Sequence, residues 1–458
     1  MKTNLLEGKI SKLIFKLSIP MILAQLINLL YNVVDRIYIG NYQDGLTAIG
    51  GVGACFPIIL LISAFSALFG MGGAPLAAIE LGKKNQKRAQ SILNTAFWLL
   101  IIISIILMIV MGIFKEQILL LFGANTINLH YANEYLAIYL IGTPCVMLSL
   151  GLNQYITAQG KTLFAMISVI IGAIMNIALD PIFIFALNMD VKGAALATII
   201  SQTASAVFII CVLRGKNTFI KINPLKHPPQ WDTIKGIVAL GLSPFIMQST
   251  EALVQISFNT QIKNYVTDLN TQTLYLSAMT ILISIMSLVN MPLQGLAQGT
   301  QPIISQNYGA GKLERAQEAS RRLILYCLIF SLAFVSLIII IPDIFVKMFN
   351  SDENLVVLCR KLIRIFFIGF AFMGVQIGCQ NSFLALGKSK ISLILAALRK
   401  IILLIPLTFI LPLFLQEKGI FIAESVSDAL AIAITLICYL WLFKKYLNEP
   451  KEALNNKN

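Results

Sequence analysis

The stretch GKKNQKRAQ at residues 82–90 returns in altered form as GAGKLERAQ at residues 309–317. When Gly82 is placed on Gly309, the chain aligns with itself far beyond this stretch. The residues that fall into register at or near this displacement of 227 include Gly72/Gly299, Pro75/Pro302, Gly142/Gly369, Ala158/Ala385, Gly160/Gly387 and, at 224, Pro20/Pro244. Self-similarity at a fixed period indicates a repeated structural unit. One unit of roughly 225 residues is therefore written twice and fills the chain.

The composition indicates that most of this unit lies in lipid. Hydrophobic residues make up 57% of the chain and charged residues only 12%, with a mean hydropathy of +0.82. Soluble proteins usually carry about 25% charged residues. A membrane-spanning helix needs about 20 apolar residues, and each half contains six such runs. Helices are expected because a span must satisfy its own backbone hydrogen bonds in hydrocarbon, and the ten-residue alternation of barrel strands is missing from the sequence.

The sequence therefore predicts an all-α integral membrane protein with 12 transmembrane helices, arranged as two six-helix repeats. The predicted spans are 12–38, 47–78, 91–114, 131–158, 163–187, 193–213, 235–262, 273–305, 323–345, 361–386, 389–415 and 419–443. The predicted domains are an N-terminal lobe at 1–213, a polar, proline-broken cytoplasmic linker at 214–232 and a C-terminal lobe at 233–458.

The placement of basic residues predicts the orientation. If both termini are inside, 24 of the 35 Lys and Arg residues fall on inside segments, and such an excess marks the cytoplasmic side. Both termini are then cytoplasmic, and the two units run in the same direction, as in many secondary transporters. The net charge of +14 follows from this bias and from attraction to anionic membrane lipids, so no nucleic-acid partner is expected. The repeated basic stretches become inside loops, whose bases are expected to contact headgroups.

Two carboxylates inside predicted spans are the first candidate functional residues. Asp35 lies near the end of the first span and Asp180 in the fifth. An ionised carboxylate at the centre of a span costs roughly 2.5–3.5 kcal/mol, so such groups usually face a polar cavity or hold a proton. Asn176 precedes Asp180 by four residues and shares its helix face, so the pair is suited to hold one cation or one proton. The structural alternatives are a helix-end carboxylate for Asp35 and a backbone-satisfying role beside Pro181 for Asp180.

The second half carries different membrane acids. Glu251 lies in the seventh span and is either a substrate-facing charge or a structural polar residue. Glu424 and Asp428 share a face of the twelfth span and are expected either to line a cleft or to pair with Arg399. The chain has only two histidines, His130 and His227, and lacks any evident catalytic or metal-binding constellation. No enzymatic activity, resident metal or cofactor is therefore expected.

Four features of the sequence occur together: MNIALDPIFIF at 175–185, YNVVD at 31–35 with Pro20 before it, MPLQGLAQGTQPIISQNYGAGKLERAQ at 291–317, and the two-by-six organisation. In combination they resemble the MATE family, the multidrug and toxic compound extrusion transporters, and most closely its bacterial drug-exporting branches. The resemblance implies two lobes around a central cleft that opens alternately to each side of a bacterial cytoplasmic membrane. It also implies export of amphipathic, often cationic, compounds by a monomer, driven by inward H+ or Na+ as the coupling ion.

The resemblance further implies a coupling site in the N-terminal lobe. The positions that match it are Asp35, Asn153, Asn176, Asp180 and Thr198, with supporting roles for Pro20, Tyr31 and Tyr135. Some branches of the family hold a cation on acids of helices seven and ten. The tenth span here contains no acid, which puts such a site in doubt.

A flippase for lipid-linked oligosaccharide or lipid II, from the same superfamily, is the alternative function. It would share the two lobes and would need cationic residues facing the cleft to hold pyrophosphate. Arg399 and Lys400 form the only deep basic pair in the sequence.

Overall fold

The computed structural model describes residues 4–40, 45–122, 124, 128–215, 218–224, 228–350 and 352–455, and these ranges contain helices but no strand. The N-terminal lobe contains α1 (Ile10–Gly40), α2 (Gly45–Gly82), α3 (Gln86–Ile113), α4 (Lys115–Leu121), α5 (Leu129–Ile141), α6 (Thr143–Ala158), α7 (Thr162–Pro181), the π-helix π1 (Ile182–Ala186) and α8 (Asp190–Arg214). The C-terminal lobe contains α9 (Trp231–Tyr265), α10 (Leu269–Gly309), α11 (Leu313–Ile340), α12 (Pro342–Lys347), α13 (Glu353–Phe370), α14 (Met373–Ala385), α15 (Ser389–Ala397), the π-helix π2 (Leu398–Leu404), α16 (Ile405–Ile410) and α17 (Pro412–Asn455).

The all-helical membrane fold predicted from the sequence is confirmed. Ten helices of the described chain are long and apolar enough to cross a membrane, and α5 with α6 adds an eleventh span bent by 59°. The tenth predicted span is also broken, because α13 ends at Phe370 and α14 begins at Met373. Arg360, Lys361 and Arg364 lie on α13 and lower its apolar character. All of α14 is nonetheless buried within the lobe.

The first helix of each half packs partly on the opposite lobe. Ile14 and Leu17 at the start of α1 belong to the hydrophobic core of the C-terminal lobe, whereas Met21 belongs to that of the N-terminal lobe. Ile237 near the start of α9 belongs to the N-terminal core, whereas Val254 further along belongs to the C-terminal core. The two lobes thus exchange the beginnings of their first helices.

Proline stands close to each of these crossings. Pro20 lies inside α1 and Pro244 inside α9. Each proline lacks an N–H group and so leaves the carbonyl of the residue four before it, Lys16 or Leu240, without its helical donor. The helix is therefore weakened where it passes from one lobe to the other.

Glycines allow the exchanged helices to pack closely, and we call these contacts the inter-lobe glycine seam (Gly72, Gly82, Gly241, Gly295, Gly299 and Gly309). A Cβ atom on Gly241 of α9 would lie 1.8 Å from the Leu68 carbonyl oxygen of α2, and one on Gly299 of α10 would lie 2.4 Å from Ser18 Cα of α1. At the ends of α2 and α10, a Cβ on Gly82 would lie 2.1 Å from the Gln306 carbonyl oxygen. The seam closes the lobes together on the predicted cytoplasmic side.

The repeated basic stretches hold the segments that lead into the exchanged helices. Arg88 Nη1 donates to Gln230 Oε1 at 2.8 Å, directly before α9. Its repeat partner Arg315 donates through Nη1 to the Gly8 carbonyl oxygen at 3.0 Å, before α1. Each arginine therefore holds the entry to the first helix of the other lobe. This contact gives the repeated stretch a structural role in addition to its predicted proximity to headgroups.

The predicted linker packs against the N-terminal lobe over residues 219–223. Gln159 Oε1 accepts from the backbone N–H groups of Phe219 and Ile220 at 2.8 and 3.1 Å. Asn94 Oδ1 accepts from the Asn223 N–H at 2.7 Å. Residues 216–217 and 225–227 of the linker, including His227, lie outside the described residues.

A leucine at Gly241 is expected to open the predicted cytoplasmic side. Overpacking costs about 1–3 kcal/mol, which shifts a two-state equilibrium by about 5–150-fold. Spin labels at the exposed positions Lys87 and Glu314, in a background without native cysteines, should show a longer mean distance in Gly241→Leu.

Gly236→Leu is the matched control for this measurement. It lies on the same helix, and a Cβ there would have its nearest neighbour at an ordinary 3.5 Å. An unchanged distance distribution in Gly241→Leu would contradict a role of the seam in closure.

Candidate functional site

Five helices of the N-terminal lobe bring together the residues predicted for the coupling site, which we call the N-lobe polar cluster (Asp35, Tyr135, Asn153, Asn176, Asp180 and Thr198). They come from α1, α5, α6, α7 and α8 in turn. Asp180 is fully buried, and Asn176 is nearly so. The cluster is thus a polar region inside an otherwise apolar lobe.

Asn176 is the centre of the cluster. Its Nδ2 donates to Asp180 Oδ1 at 3.2 Å, along the helix face that the four-residue spacing predicted. The same amide contacts Thr198 Oγ1 on α8 at 3.4 Å. Pro181 follows Asp180 and cannot donate to the Ile177 carbonyl, and π1 begins directly after it. The helix therefore becomes irregular just beyond the buried carboxylate.

Asp35 joins the cluster from α1. Its carboxyl group lies close enough to that of Asp180 for the two to interact electrostatically. Tyr135 of α5 lies near Asp35 and Thr198. Tyr135 also stacks on Tyr139 at a centroid distance of 6.1 Å. Two carboxyl groups thus lie near each other in a polar site beside the buried Tyr135.

Asn153 and Tyr31 border a small cavity beside the cluster. The cavity has a volume of about 100 Å³, and Asn176 and Thr198 also contribute to its wall. Asn153 Nδ2 donates to the Ala165 carbonyl oxygen at 3.3 Å, which leaves its side-chain oxygen for other partners. The sequence did not single out several other polar residues that line the cavity, namely Gln25, Asn28, Ser149, Ser201, Gln202 and Gln298. Gln202 follows Thr198 by four residues, and this spacing is the signal that would have identified it.

Three acceptor oxygens in and beside the cluster lack donors among the described residues. They are Asn153 Oδ1, Asn176 Oδ1 and Asp180 Oδ2, and each is buried. A buried acceptor without a donor costs about 1–3 kcal/mol. Oxygens of this kind favour a bound cation, a proton or ordered water. Among the described residues, no three His, Cys, Asp or Glu side chains form a metal-binding group.

The membrane acids of the C-terminal lobe are paired with bases, in what we call the C-lobe charge network (Glu251, Arg399, Lys400, Glu424 and Asp428). Arg399 Nε donates to Asp428 Oδ1 at 2.6 Å, and its Nη2 donates to Glu424 Oε1 at 2.9 Å. These three side chains are buried. Glu424 and Asp428 were predicted either to line a cleft or to pair with Arg399. The structure shows the pairing, and because both side chains are buried they do not line a cleft.

Glu251 is paired as well, although its side chain remains 47% exposed. Lys400 Nζ donates to Glu251 Oε1 and to the Met247 carbonyl oxygen at 2.9 Å. This contact between α9 and π2 was not predicted, because two helices far apart in sequence share no spacing that reveals it. Pro20 lies inside α1 near the crossing between the lobes, and its supporting role remains a prediction.

Loss of the Arg399 side chain should destabilise the C-terminal lobe strongly. Removing one partner of a buried ion pair costs about 3–5 kcal/mol, and Arg399→Met would leave two buried carboxylates uncompensated. Thermal unfolding of the purified protein in detergent should show a clearly lower midpoint. Arg364→Met, at an exposed position of α13, is the control, and an equal midpoint in both variants would contradict this assignment.

Comparison with known proteins agrees with the resemblance seen in the sequence. The family model described as MatE matches residues 20–182 and 251–410. The multidrug export protein MepA of Staphylococcus haemolyticus is 25% identical over 443 residues, covering 96% of this chain and 94% of its own length. MepA of Staphylococcus aureus strain NCTC 8325 is 24% identical over 435 residues, covering 95% and 94%.

Solved structures show the same fold. A multidrug resistance MATE family transporter in an outward-facing conformation superposes with a TM-score of 0.87 at 23% identity, over 96% of this chain and 97% of that one. A MATE structure in a bent conformation superposes with a TM-score of 0.88 at 24% identity, over 98% of both chains. The protein is a multi-pass protein of the bacterial plasma membrane, as the sequence predicted. With both halves matched by the family model and about 96% of its length matched by a MepA relative, the chain belongs to the MATE family of transporters.

Proposed function

We propose that this protein exports amphipathic, often cationic, compounds in exchange for H+ or Na+, and that the N-lobe polar cluster binds the coupling ion. The observation that carries the proposal is the buried pair Asn176 and Asp180 near the Asp35 carboxyl group, with buried acceptor oxygens that lack donors in the described chain. The relatives named as multidrug export proteins support the direction and class of transport.

The cavity beside the N-lobe polar cluster is large enough for an ion but too small for a drug-sized compound. A cavity of about 100 Å³ is smaller than the roughly 300–1,000 Å³ of sites for drug-sized ligands. It has room for an ion with a few waters, each of which takes about 30 Å³ in the liquid. We therefore assign the coupling ion to the N-lobe polar cluster and the drug to the cleft between the lobes.

The exchange follows from competition for negative charge. Two carboxylates in contact repel each other, so the pair favours a bound proton or metal cation. Once the pair is neutralised, the site attracts a cationic compound in the cleft less strongly. Inward movement of one charge is worth about 2.3 kcal/mol per 100 mV of membrane potential, which is available to drive export.

The helix α1 connects this charge change to the lobes. Its first part belongs to the C-terminal core through Ile14 and Leu17, and its last part carries Asp35 into the N-lobe polar cluster. A change in the charge state of Asp35 therefore acts on a helix that spans both lobes and is weakened at Pro20. Alternating access would result from reorientation about this helix and its counterpart α9. Since one chain supplies both lobes, a monomer is sufficient.

The flippase alternative is less well supported. A flippase needs cationic side chains open to the cleft to hold pyrophosphate, whereas Arg399 and Lys400 are buried and each pairs with carboxylates. Neither base is available to a phosphate in this arrangement.

Neutralising the cluster should abolish driven export. Efflux is measured from ethidium-loaded proteoliposomes under an imposed pH or Na+ gradient. Asp35→Asn and Asp180→Asn are each expected to reduce it to the level of ethidium-loaded liposomes that contain no protein. The fluorescence of ethidium reports the transport, and the gradient that drives the wild type identifies the ion.

Glu353→Gln, at an exposed position in the first turn of α13, is the matched control and should retain wild-type efflux. Full gradient-driven efflux in Asp35→Asn would show that this carboxylate is not essential for coupling. No driven efflux from the wild type under either gradient would count against antiport itself.

A further inference from the structure

The C-lobe charge network contains more acids than bases. Three carboxyl groups, Glu251, Glu424 and Asp428, meet two bases, Arg399 and Lys400. The groups that interact with Glu424 are the other four members of the network, on α9, π2 and α17. If every member were ionised, the network would carry one excess negative charge. Burying an uncompensated charge is strongly unfavourable, so this excess favours the binding of one proton.

The position of the excess charge follows from the pairing. Lys400 compensates Glu251, whereas Arg399 is shared between Glu424 and Asp428. Asp428 Oδ2 is buried and has no donor among the described residues, although the rest of this carboxyl group is held by Arg399. The excess negative charge therefore belongs to the pair Glu424 and Asp428.

Glu251 gives the network access to the space between the lobes. Met247 precedes it on α9 by four residues, or about one helical turn, and so shares its helix face. Met247 lines a small cavity that Met71 of the N-terminal lobe also lines. Glu251 thus lies near the face of α9 that is turned toward the other lobe. Its side chain is 47% exposed, in contrast to the buried Lys400 behind it.

We propose that the C-lobe charge network is a second proton-binding site, in which Glu424 and Asp428 share one proton that leaves when a cationic substrate pairs with Glu251. The proposal rests on the export of cationic compounds put forward above. It assigns a binding role to acids that the N-lobe mechanism does not use.

Lys400 is the element that links the two events. It interacts with both Glu251 and Glu424. When a substrate cation pairs with Glu251, the ammonium group of Lys400 loses its main partner and becomes available to compensate Glu424 and Asp428. These carboxyls then ionise, and one proton departs for each cation bound. The network is neutral before and after the exchange, so no uncompensated charge is left buried in the lobe.

The backbone that carries Arg399 and Lys400 is π-helical. Arg399 and Lys400 are adjacent residues of π2, and π-helical turns within α-helices are frequent at functional sites. From this segment Arg399 contacts the acids of α17, and Lys400 contacts Glu251 of α9.

The test measures proton release when tetraphenylphosphonium, a permanent lipophilic cation, is added to the transporter in lipid nanodiscs. A pH-indicator dye in weak buffer reports the protons, and equilibrium dialysis reports the bound cation. The decisive background is Asp35→Asn with Asp180→Asn, because it removes the titrating groups of the N-lobe polar cluster. We expect release to fall to about half of the wild-type value but to persist. Adding Glu424→Gln should remove the remainder while the cation still binds, whereas adding Glu251→Gln should weaken both binding and release.

Folding of these variants is checked by thermal unfolding. Glu424→Gln keeps an acceptor for Arg399 and removes the excess charge, so it should unfold no earlier than the wild type. Glu353→Gln on the exposed start of α13 serves as the matched control and should leave proton release unchanged.

The outcomes separate the two proposals. Absence of release from the Asp35→Asn, Asp180→Asn background would overturn the second site, as would release that persists after Glu424→Gln. Release in that background equal to the wild-type value would instead overturn the N-lobe assignment and leave the second site standing.

Infrared pH-difference spectra extend the test to the substrate-free protein. In the Asp35→Asn, Asp180→Asn variant, a protonated-carboxyl band should remain, and adding Glu424→Gln should remove it. If this variant lacked the band, the proposal would be overturned even without tetraphenylphosphonium binding.

Discussion

Close packing between glycine-bearing helices holds the two lobes together, and the rest of the architecture depends on it. Gly241 and Gly299 occupy positions where a single added carbon would overlap the backbone of the opposite lobe. In a membrane, where hydrocarbon surrounds apolar side chains on every face, such close approach is a main source of helix association. Backbone contacts of this kind form or break as a unit, because a helix cannot interpenetrate its neighbour part-way. The seam therefore suits a protein that alternates between two arrangements of its lobes.

The internal repeat explains why the seam has two equivalent parts. Each unit supplies a first helix that crosses to the other lobe, a second helix with the glycine that receives the crossing, and an arginine that holds the segment before it. Arg88 and Arg315 occupy corresponding places in this scheme. The stretch that reveals the repeat in the sequence thus lies, in both units, where one half forms hydrogen bonds to the other.

Much of the fold was predictable, and the site only in part. Hydropathy located the ten unbroken spans and the bent span of α5 with α6 in the described chain, because the lipid requirement applies along the whole of a crossing helix. It missed the breaks between α5 and α6 and between α13 and α14, since short polar interruptions hardly change an average over 20 residues. Asn176 and Asp180 could be paired from their spacing on one helix. Thr198 and Asn153 came only from the resemblance, because their contacts join helices whose packing the sequence does not encode locally. Neither helical spacing nor the resemblance predicted the ion pair between Lys400 and Glu251, because it too joins two helices far apart in the sequence.

The two lobes have diverged in charge while keeping the same helices. In the N-terminal lobe, two carboxyls meet amides and tyrosines without an opposing base in the cluster, so the site depends on an external cation or proton for neutrality. In the C-terminal lobe, two bases compensate most of the negative charge, and only the excess of one acid depends on an external partner. In the mechanism we propose, the first arrangement responds to a coupling ion in the cavity beside Asn176, and the second to a cation that reaches Glu251 between the lobes. Because α1 and α9 each belong to both cores, a charge change in either lobe acts on a helix that the other lobe also holds. Coupling between ion and substrate then requires no contact between them, only that both bias the same pair of shared helices.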